Sequence, residues 1–139
     1  MHTFPKILSV AAGFDAKVTL PPNYSTSTGT STLTPRASHS SSMQHNILSW
    51  MSQLGLRALN TFGSQLSPNL LWTCGWKRQQ HHRSQIDFIS VSSGITGCAY
   101  PAQEQDLRLH PVLHKSLDHR LLLGYLHLQG LDFHTDPPC

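Results

Sequence analysis

The sequence predicts an α+β fold in which one helix packs with several short strands. An apolar run at residues 7–12 precedes a long polar stretch. Residues 43–56 carry apolar side chains at helical spacing, and the later apolar residues fall in short runs between turn signals. The expected order is therefore strand, loop, helix and then several strands, without an internal repeat.

Composition limits the size of the core and the class of protein. The chain has 139 residues, of which 38% are apolar and 12% are charged. We expect one domain with a small core, and not the highly charged composition of a disordered protein. The net charge of +3, with ten histidines taken as neutral, suits a weak preference for polyanions. No apolar window is long enough for a membrane helix, and no secretion signal is evident, so we expect a nuclear or cytoplasmic location.

The first half of the chain contains one predicted strand, one loop and one helix. Residues 7–12 read as a buried strand that ends at Gly13. Twelve of the 18 residues from 25 to 42 are Ser or Thr, which predicts a flexible loop that contributes no core. The helix begins after a Ser42 N-cap and stops near Gly55. Its apolar stripe comprises Met43, Ile47, Met51 and Leu54, of which the first three are assigned to the core.

Short strands are predicted in the second half, at residues 70–73, 85–91 and 121–128, with a weaker run near Val112. Residues 92–94 and Gly97 are expected in turns. These elements divide the chain into a first strand region (1–20), a Ser/Thr-rich loop (21–42), a helix with a C-terminal sheet (43–130) and a tail (131–139).

Two aspartates, Asp87 and Asp118, lie beside apolar residues of predicted strands. Strand alternation places Ile86 and Phe88 on one face and Asp87 on the other. A buried Asp87 needs a partner, whereas an Asp on an edge strand simply faces water. Asp118 and His119 enter the last apolar strand. There, Asp118 is suited to bind a divalent metal and His119 to act on a water or a leaving group beside a phosphate.

These segments resemble motifs of the endonuclease/exonuclease/phosphatase (DNase I-like) superfamily. Residues 86–89 (Ile-Asp-Phe-Ile) and 117–120 (Leu-Asp-His-Arg) are similar to its last two motifs. Asn60-Thr61-Phe62 and Trp72-Thr73 are similar to earlier segments, and residues 13–17 fall where the family carries Gly-Asp-x-Asn. The resemblance covers about residues 7 to 128 and is closest to endonuclease domains of LINE-type retrotransposons.

The resemblance implies a fold, a site and a cofactor. The fold would be the C-terminal half of a two-sheet β-sandwich flanked by helices, an incomplete DNase I-like fold. Asp87 would orient His119, which would contact the scissile phosphate and assist attack by water. Asp118 and Asp15 would hold Mg²⁺ or Mn²⁺ weakly.

The chain departs from the family pattern at several positions. Lys17 stands where Asn is expected, and Leu117 stands where Ser is usual. The family's early Asn and metal-binding Glu have no counterpart, and the single glutamate of the chain is Glu104. Since catalytic groups act as a unit, we expect little activity from the chain alone. A partner carrying the missing N-terminal half is implied.

Residues 77–83 form a basic stretch that suggests contact with DNA, or with RNA. Lys77, Arg78 and Arg83 would meet phosphates, Trp76 would stack on a base, and Asn60 is a further candidate contact. The alternative is a solvated hairpin loop.

Several interpretations of the whole chain therefore stay open. The favoured one is a truncated, inactive endonuclease domain. The alternatives are an active metal-dependent endonuclease, a non-catalytic nucleic-acid-binding remnant, and a largely unfolded chain whose half sandwich exposes an apolar face.

Overall fold

A computed structural model describes residues 9–33, 42–76, 79–102 and 119–128. Within these residues, helix α1 spans Ser42–Gln53, and short 3-10 turns span Leu59–Thr61 and Pro68–Leu70. The strands are β1 (Ala11–Asp15), β2 (Arg57–Ala58), β3 (Cys74–Trp76), β4 (Gln79–Ser84), β5 (Asp87–Val91), β6 (Ile95–Pro101) and β7 (Leu122–Leu128). This mixture of helix and short antiparallel strands confirms the α+β class.

The described strands form three small antiparallel sheets. β5 is the central strand of the largest sheet, with β1 on one side and β2 on the other. β3 pairs with β4, and β6 pairs with β7. In the β1–β5 pair, Asp15 lies directly opposite Asp87, so two carboxylates meet at one end of the sheet.

The two faces of β5 contact different parts of the core. Phe88 is fully buried and packs with Met51 and Leu56 in a cluster that joins the sheet to α1. Val91 lies on the other face and packs with Ile95 in a cluster that joins the sheet to β6 and β7. The alternation predicted around Asp87 is therefore confirmed, since Phe88 faces the helix while Ile89 packs on the opposite cluster.

The helix is present as predicted, but its buried stripe is shorter. Met51 is fully buried and Ile47 packs against the same cluster. Met43 and Leu54 are 47% and 54% exposed, so the assignment of Met43 to the core is wrong. Met43 lies near the start of α1 and Leu54 just after its end, whereas the buried residues of the helix are Leu48 and Met51. The positive φ of 63° at Gly55 fits its predicted place just after the helix.

Two strand predictions and one turn prediction need correction. β1 starts at Ala11 and runs through Gly13, because each of its residues pairs with β5; residues 7 and 8 lie outside the described chain. Residues 70–73 are not a strand, since a 3-10 turn occupies Pro68–Leu70 and β3 begins at Cys74. Gly97 lies inside β6 and not in a turn. Its φ is 153°, and a Cβ there would overlap the Tyr125 carbonyl oxygen of β7.

The first part of the Ser/Thr-rich segment is a packed loop. Ser27 and Thr28 are each 1% exposed, and the Thr28 hydroxyl donates to the Pro21 carbonyl and accepts from the Tyr24 amide. Gly29 donates its amide to the Thr61 hydroxyl, and a Cβ there would lie 2.5 Å from the Thr61 carbonyl oxygen. The expectation that this segment adds nothing to the interior is therefore wrong for residues 27–29. Residues 34–41, the weak run near Val112 and the tail lie outside the described chain.

Within the described ranges, no helix has both the length and the apolar character needed to cross a membrane.

Two methionines of α1 test the packing of the helix. Met51→Ala should lower the free energy of unfolding by about 2–4 kcal/mol, because it leaves a cavity beside Phe88. Met43→Ala on the exposed side should change it by no more than about 0.5 kcal/mol. Urea unfolding followed by circular dichroism measures both. Equal effects, or no cooperative transition in the parent chain, would contradict the packing and favour the largely unfolded chain.

Candidate active site

A cleft of about 550 Å³ lies between the β1–β5 pair and β7. Its floor and one wall are apolar, and its polar end carries Asp15, Asp87 and His119. The other lining residues are Ala11, Ala12, Gly13, Phe14, Phe88, Ile89, Arg120, Leu122 and Leu126. The cleft thus places two carboxylates and one imidazole beside an apolar surface.

Asp87 and His119 are hydrogen-bonded, as the motif resemblance implies. His119 Nδ1 lies 2.8 Å from Asp87 Oδ2, with side-chain exposures of 48% and 19%. Because a carboxylate accepts, the proton of this bond belongs to Nδ1. Asp87 therefore fixes the ring orientation and stabilises the charged imidazolium, which is the arrangement of a general base and its orienting acid.

Asp15 joins this pair through the register of the sheet. One ligand atom from each of Asp15, Asp87 and His119 lies within 4.8 Å of the others. Asp15 Oδ1 accepts the amide of Lys17, whose φ of 57° closes a tight turn. Like charges directly opposite in a sheet repel. A protonated His119 or a bound cation would offset that repulsion.

Thr73 connects the strand that carries Asp87 to the segment that carries His119. It is fully buried, and its hydroxyl accepts the amides of Ile86 and Asp87 at 3.0 Å each. Its carbonyl accepts the amide of Arg120 at 2.6 Å. Thr73 thus fixes both the backbone that carries Asp87 and the backbone next to His119. These two constraints together set the distance between Asp87 and His119.

Arg120 holds the backbone next to His119 in place. Its guanidinium donates to the carbonyls of Leu70, Trp72 and Ala102 and stacks 4.4 Å from the centroid of the Trp72 ring. Burial lowers the pKa of this guanidinium, and the charge of Arg83 lowers it further. Three carbonyl acceptors and an aromatic face compensate the cost of burying the charge.

Cys74 lies on the other side of the imidazole ring. Its Sγ is 3.8 Å from His119 Nε2, within hydrogen-bonding reach for sulfur. The backbones of the two residues also form an antiparallel bridge. His119 therefore contacts a carboxylate through one nitrogen and a thiol through the other.

The other predicted site residues are not all brought to the cleft. Asp118, Lys77 and Arg78 lie outside the described residues, as does the side chain of Trp76 in β3. Arg83 lies in β4, and its guanidinium stacks 4.5 Å from the centroid of the Trp72 ring. Ser84 and the residues from 79 onward belong to a strand, so the predicted solvated loop is wrong for that part of the basic stretch. A role for Arg83 with nucleic acid stays a prediction.

Asn60 corrects one prediction. It is 1% exposed, its amide nitrogen donates to the Asp87 carbonyl, and its oxygen accepts the amide of Ile89. With both ends of the amide bonded to β5, Asn60 supports the strand that carries Asp87 and does not reach nucleic acid.

Thr73, Cys74 and Arg120 are the site residues that the sequence did not point to. Trp72-Thr73 was noted only as a motif, and Cys74 is one of three widely spaced cysteines. Arg120 adjoins His119 in sequence, and Thr73 lies in a segment that is similar to a family motif. Their contacts, however, join positions 47 residues apart, which spacing alone does not reveal.

Substitutions at Thr73 test how the site is held together. Thr73→Val keeps the shape but leaves the amides of Ile86 and Asp87 without their acceptor, so it should destabilise the chain by about 2 kcal/mol or more. Thr73→Ser retains the hydroxyl and should cost less than about 1.5 kcal/mol. Urea unfolding measures both variants, and a Val variant as stable as the Ser variant would contradict the proposed role of the hydroxyl.

No protein-family model, curated protein or solved structure matches this chain. The resemblance to the DNase I-like superfamily therefore stays a prediction based on the motifs around Asp87 and His119.

Proposed function

We propose that this chain derives from a DNase I-like endonuclease domain of the LINE retrotransposon kind, and that the cleft is the remaining end of its phosphodiester-hydrolysing site. The observation that supports this most directly is the 2.8 Å hydrogen bond between His119 and Asp87. The motif resemblance assigned these two residues to one dyad, although 32 positions separate them in sequence.

The dyad would act on a phosphodiester by general base catalysis. His119 would take a proton from the attacking water at its Nε2 atom, and Asp87 would stabilise the resulting imidazolium through Nδ1. His119 is half exposed and lines the open cleft, so a backbone phosphate has access to it. The apolar wall near Leu122 and Leu126 would contact sugar or base.

A divalent cation fits this site only weakly. Mg²⁺ and Mn²⁺ prefer about six oxygen ligands, and they would supply positive charge that stabilises the phosphate in the transition state. Among the described residues, the cleft offers the carboxylates of Asp15 and Asp87, each with one oxygen already hydrogen-bonded. Asp118 stays a predicted third ligand. We therefore expect weak cation binding.

Weak cation binding is the reason to expect an inactive chain. A site whose groups act together loses nearly all of its rate when one of them is missing. The proposed function is consequently that of an endonuclease-type domain with an incomplete cation site, which retains the orienting dyad but does not turn over alone. A partner that supplies further oxygen ligands would complete the set of cation ligands.

An active phosphodiesterase is the second candidate function. It is favoured by the position of Asp15, which the sheet register brings to the dyad although the sequence motif around it is degenerate. A binding remnant without catalysis is the third candidate, and the net charge of +3 is its support. DNA, or RNA, is the proposed partner in each case.

Plasmid nicking separates these candidates. The purified chain should not nick supercoiled DNA above the buffer rate with either Mg²⁺ or Mn²⁺, and His119→Ala should behave identically. Mn²⁺ should still broaden the NMR signals of His119 with an affinity on the order of millimolar, and Asp15→Asn should reduce the broadening.

Nicking by the parent chain that disappears in both His119→Ala and Asp87→Asn would contradict the inactive domain and favour the active phosphodiesterase. DNA binding without nicking or Mn²⁺ broadening would favour the third candidate. Absence of nicking, broadening and DNA binding together would contradict the proposed function.

A further inference from the structure

We propose that Cys74, His119 and Asp87 form a thiol–imidazole–carboxylate relay, and that Cys74 is a nucleophile that reacts with hydroperoxides. The proposal shares Asp87 and the Nε2 atom of His119 with the phosphodiester chemistry, but it needs neither a cation nor a phosphate and can be tested apart from it.

The order of groups is that of an activated nucleophile. Cys74 Sγ lies 3.8 Å from His119 Nε2, and His119 Nδ1 lies 2.8 Å from Asp87 Oδ2. In such a relay the imidazole takes the thiol proton, and the carboxylate holds the ring and stabilises its positive charge. Distances between nucleophile and base are often longer before a substrate binds.

The backbone fixes the thiol and the ring relative to each other. Cys74 and His119 are opposite residues of an antiparallel bridge, and the next backbone contact joins the Arg120 amide to the Thr73 carbonyl. These backbone contacts therefore hold the thiol and the imidazole close to each other. The buried Thr73 that supports Asp87 is also the residue directly before Cys74 in the chain.

The charges around the relay favour a thiolate paired with an imidazolium. Asp87 contacts the ring directly, and Asp15 lies near it on β1. A positively charged imidazole ring beside the sulfur stabilises a thiolate.

The pair is also reachable from solvent. Cys74 is half-buried and the His119 side chain is 48% exposed. Cys98, by contrast, is disulfide-bonded and offers no thiol for this chemistry. Partial exposure beside a histidine that can carry a positive charge is a usual setting of a reactive cysteine.

Reaction with a hydroperoxide requires a thiolate and a proton donor, and the relay supplies both. The Cys74 thiolate attacks one peroxide oxygen, a sulfur–oxygen bond forms and the oxygen–oxygen bond breaks. The leaving oxygen takes the proton from His119 Nε2 and departs as water or an alcohol. Cys74 is oxidised by two electrons to a sulfenic acid, and the peroxide is reduced.

Two measurements on the full chain test the relay. The first is the rate of Cys74 alkylation by iodoacetamide as a function of pH, with the modified peptide identified by mass spectrometry. At pH 6 we expect Cys74 to react at least about tenfold faster than a thiol of ordinary pKa, near 8.5. The second is capture of the sulfenic acid by dimedone after treatment with hydrogen peroxide.

Variants connect the reactivity to the relay. His119→Ala should remove the excess rate at pH 6 and the dimedone product, and Asp87→Asn should reduce both several-fold. His127→Ala, a histidine of β7 outside the relay, is the matched control and should leave both unchanged. Circular dichroism checks that each variant is folded.

An alkylation rate in the parent chain that rises only near pH 8.5 would overturn the proposal, whatever the variants do. A fast rate that persists in both His119→Ala and Asp87→Asn would overturn it as well. Neither result depends on whether the chain hydrolyses DNA, so the proposed function is tested separately.

Discussion

The site depends on the buried hydrogen bonds of Thr73. Its hydroxyl accepts two successive amides at the start of β5, and its carbonyl accepts the amide that follows His119. A buried amide without a partner is costly, so this arrangement strongly favours one position for each backbone segment. The dyad of Asp87 and His119 is the consequence, and Arg120 with its three carbonyl acceptors secures the same junction.

The sequence was sufficient for the features that follow from local pattern. Alternation placed Phe88 and Asp87 on opposite faces of β5, and apolar spacing located α1. Prediction from the sequence was wrong where contacts between distant residues determine the position of a side chain. Met43 continues the apolar stripe but lies near the start of α1, before its buried residues, and Gly97 is explained by the close approach of β7. Asn60 was a candidate nucleic-acid contact, and its bonds to β5 join residues that are distant in sequence.

His119 occupies a position that two kinds of chemistry would use. Hydrolysis of a phosphodiester needs its Nε2 directed at water or phosphate, whereas the thiol relay directs the same atom at Cys74. Both need Asp87 on Nδ1. A domain whose cation site is weak would keep the dyad for its geometry while the neighbouring thiol supplies a nucleophile that requires no metal.

The central claim is that Asp87 holds His119 through Nδ1 in the folded chain. Long-range proton–nitrogen NMR correlations of the imidazole test it most directly, because they report which ring nitrogen carries a proton. We predict a protonated Nδ1 at every pH at which the chain is folded and Asp87 is ionised. A neutral ring with its proton on Nε2 and no proton on Nδ1 would contradict the hydrogen bond between His119 and Asp87.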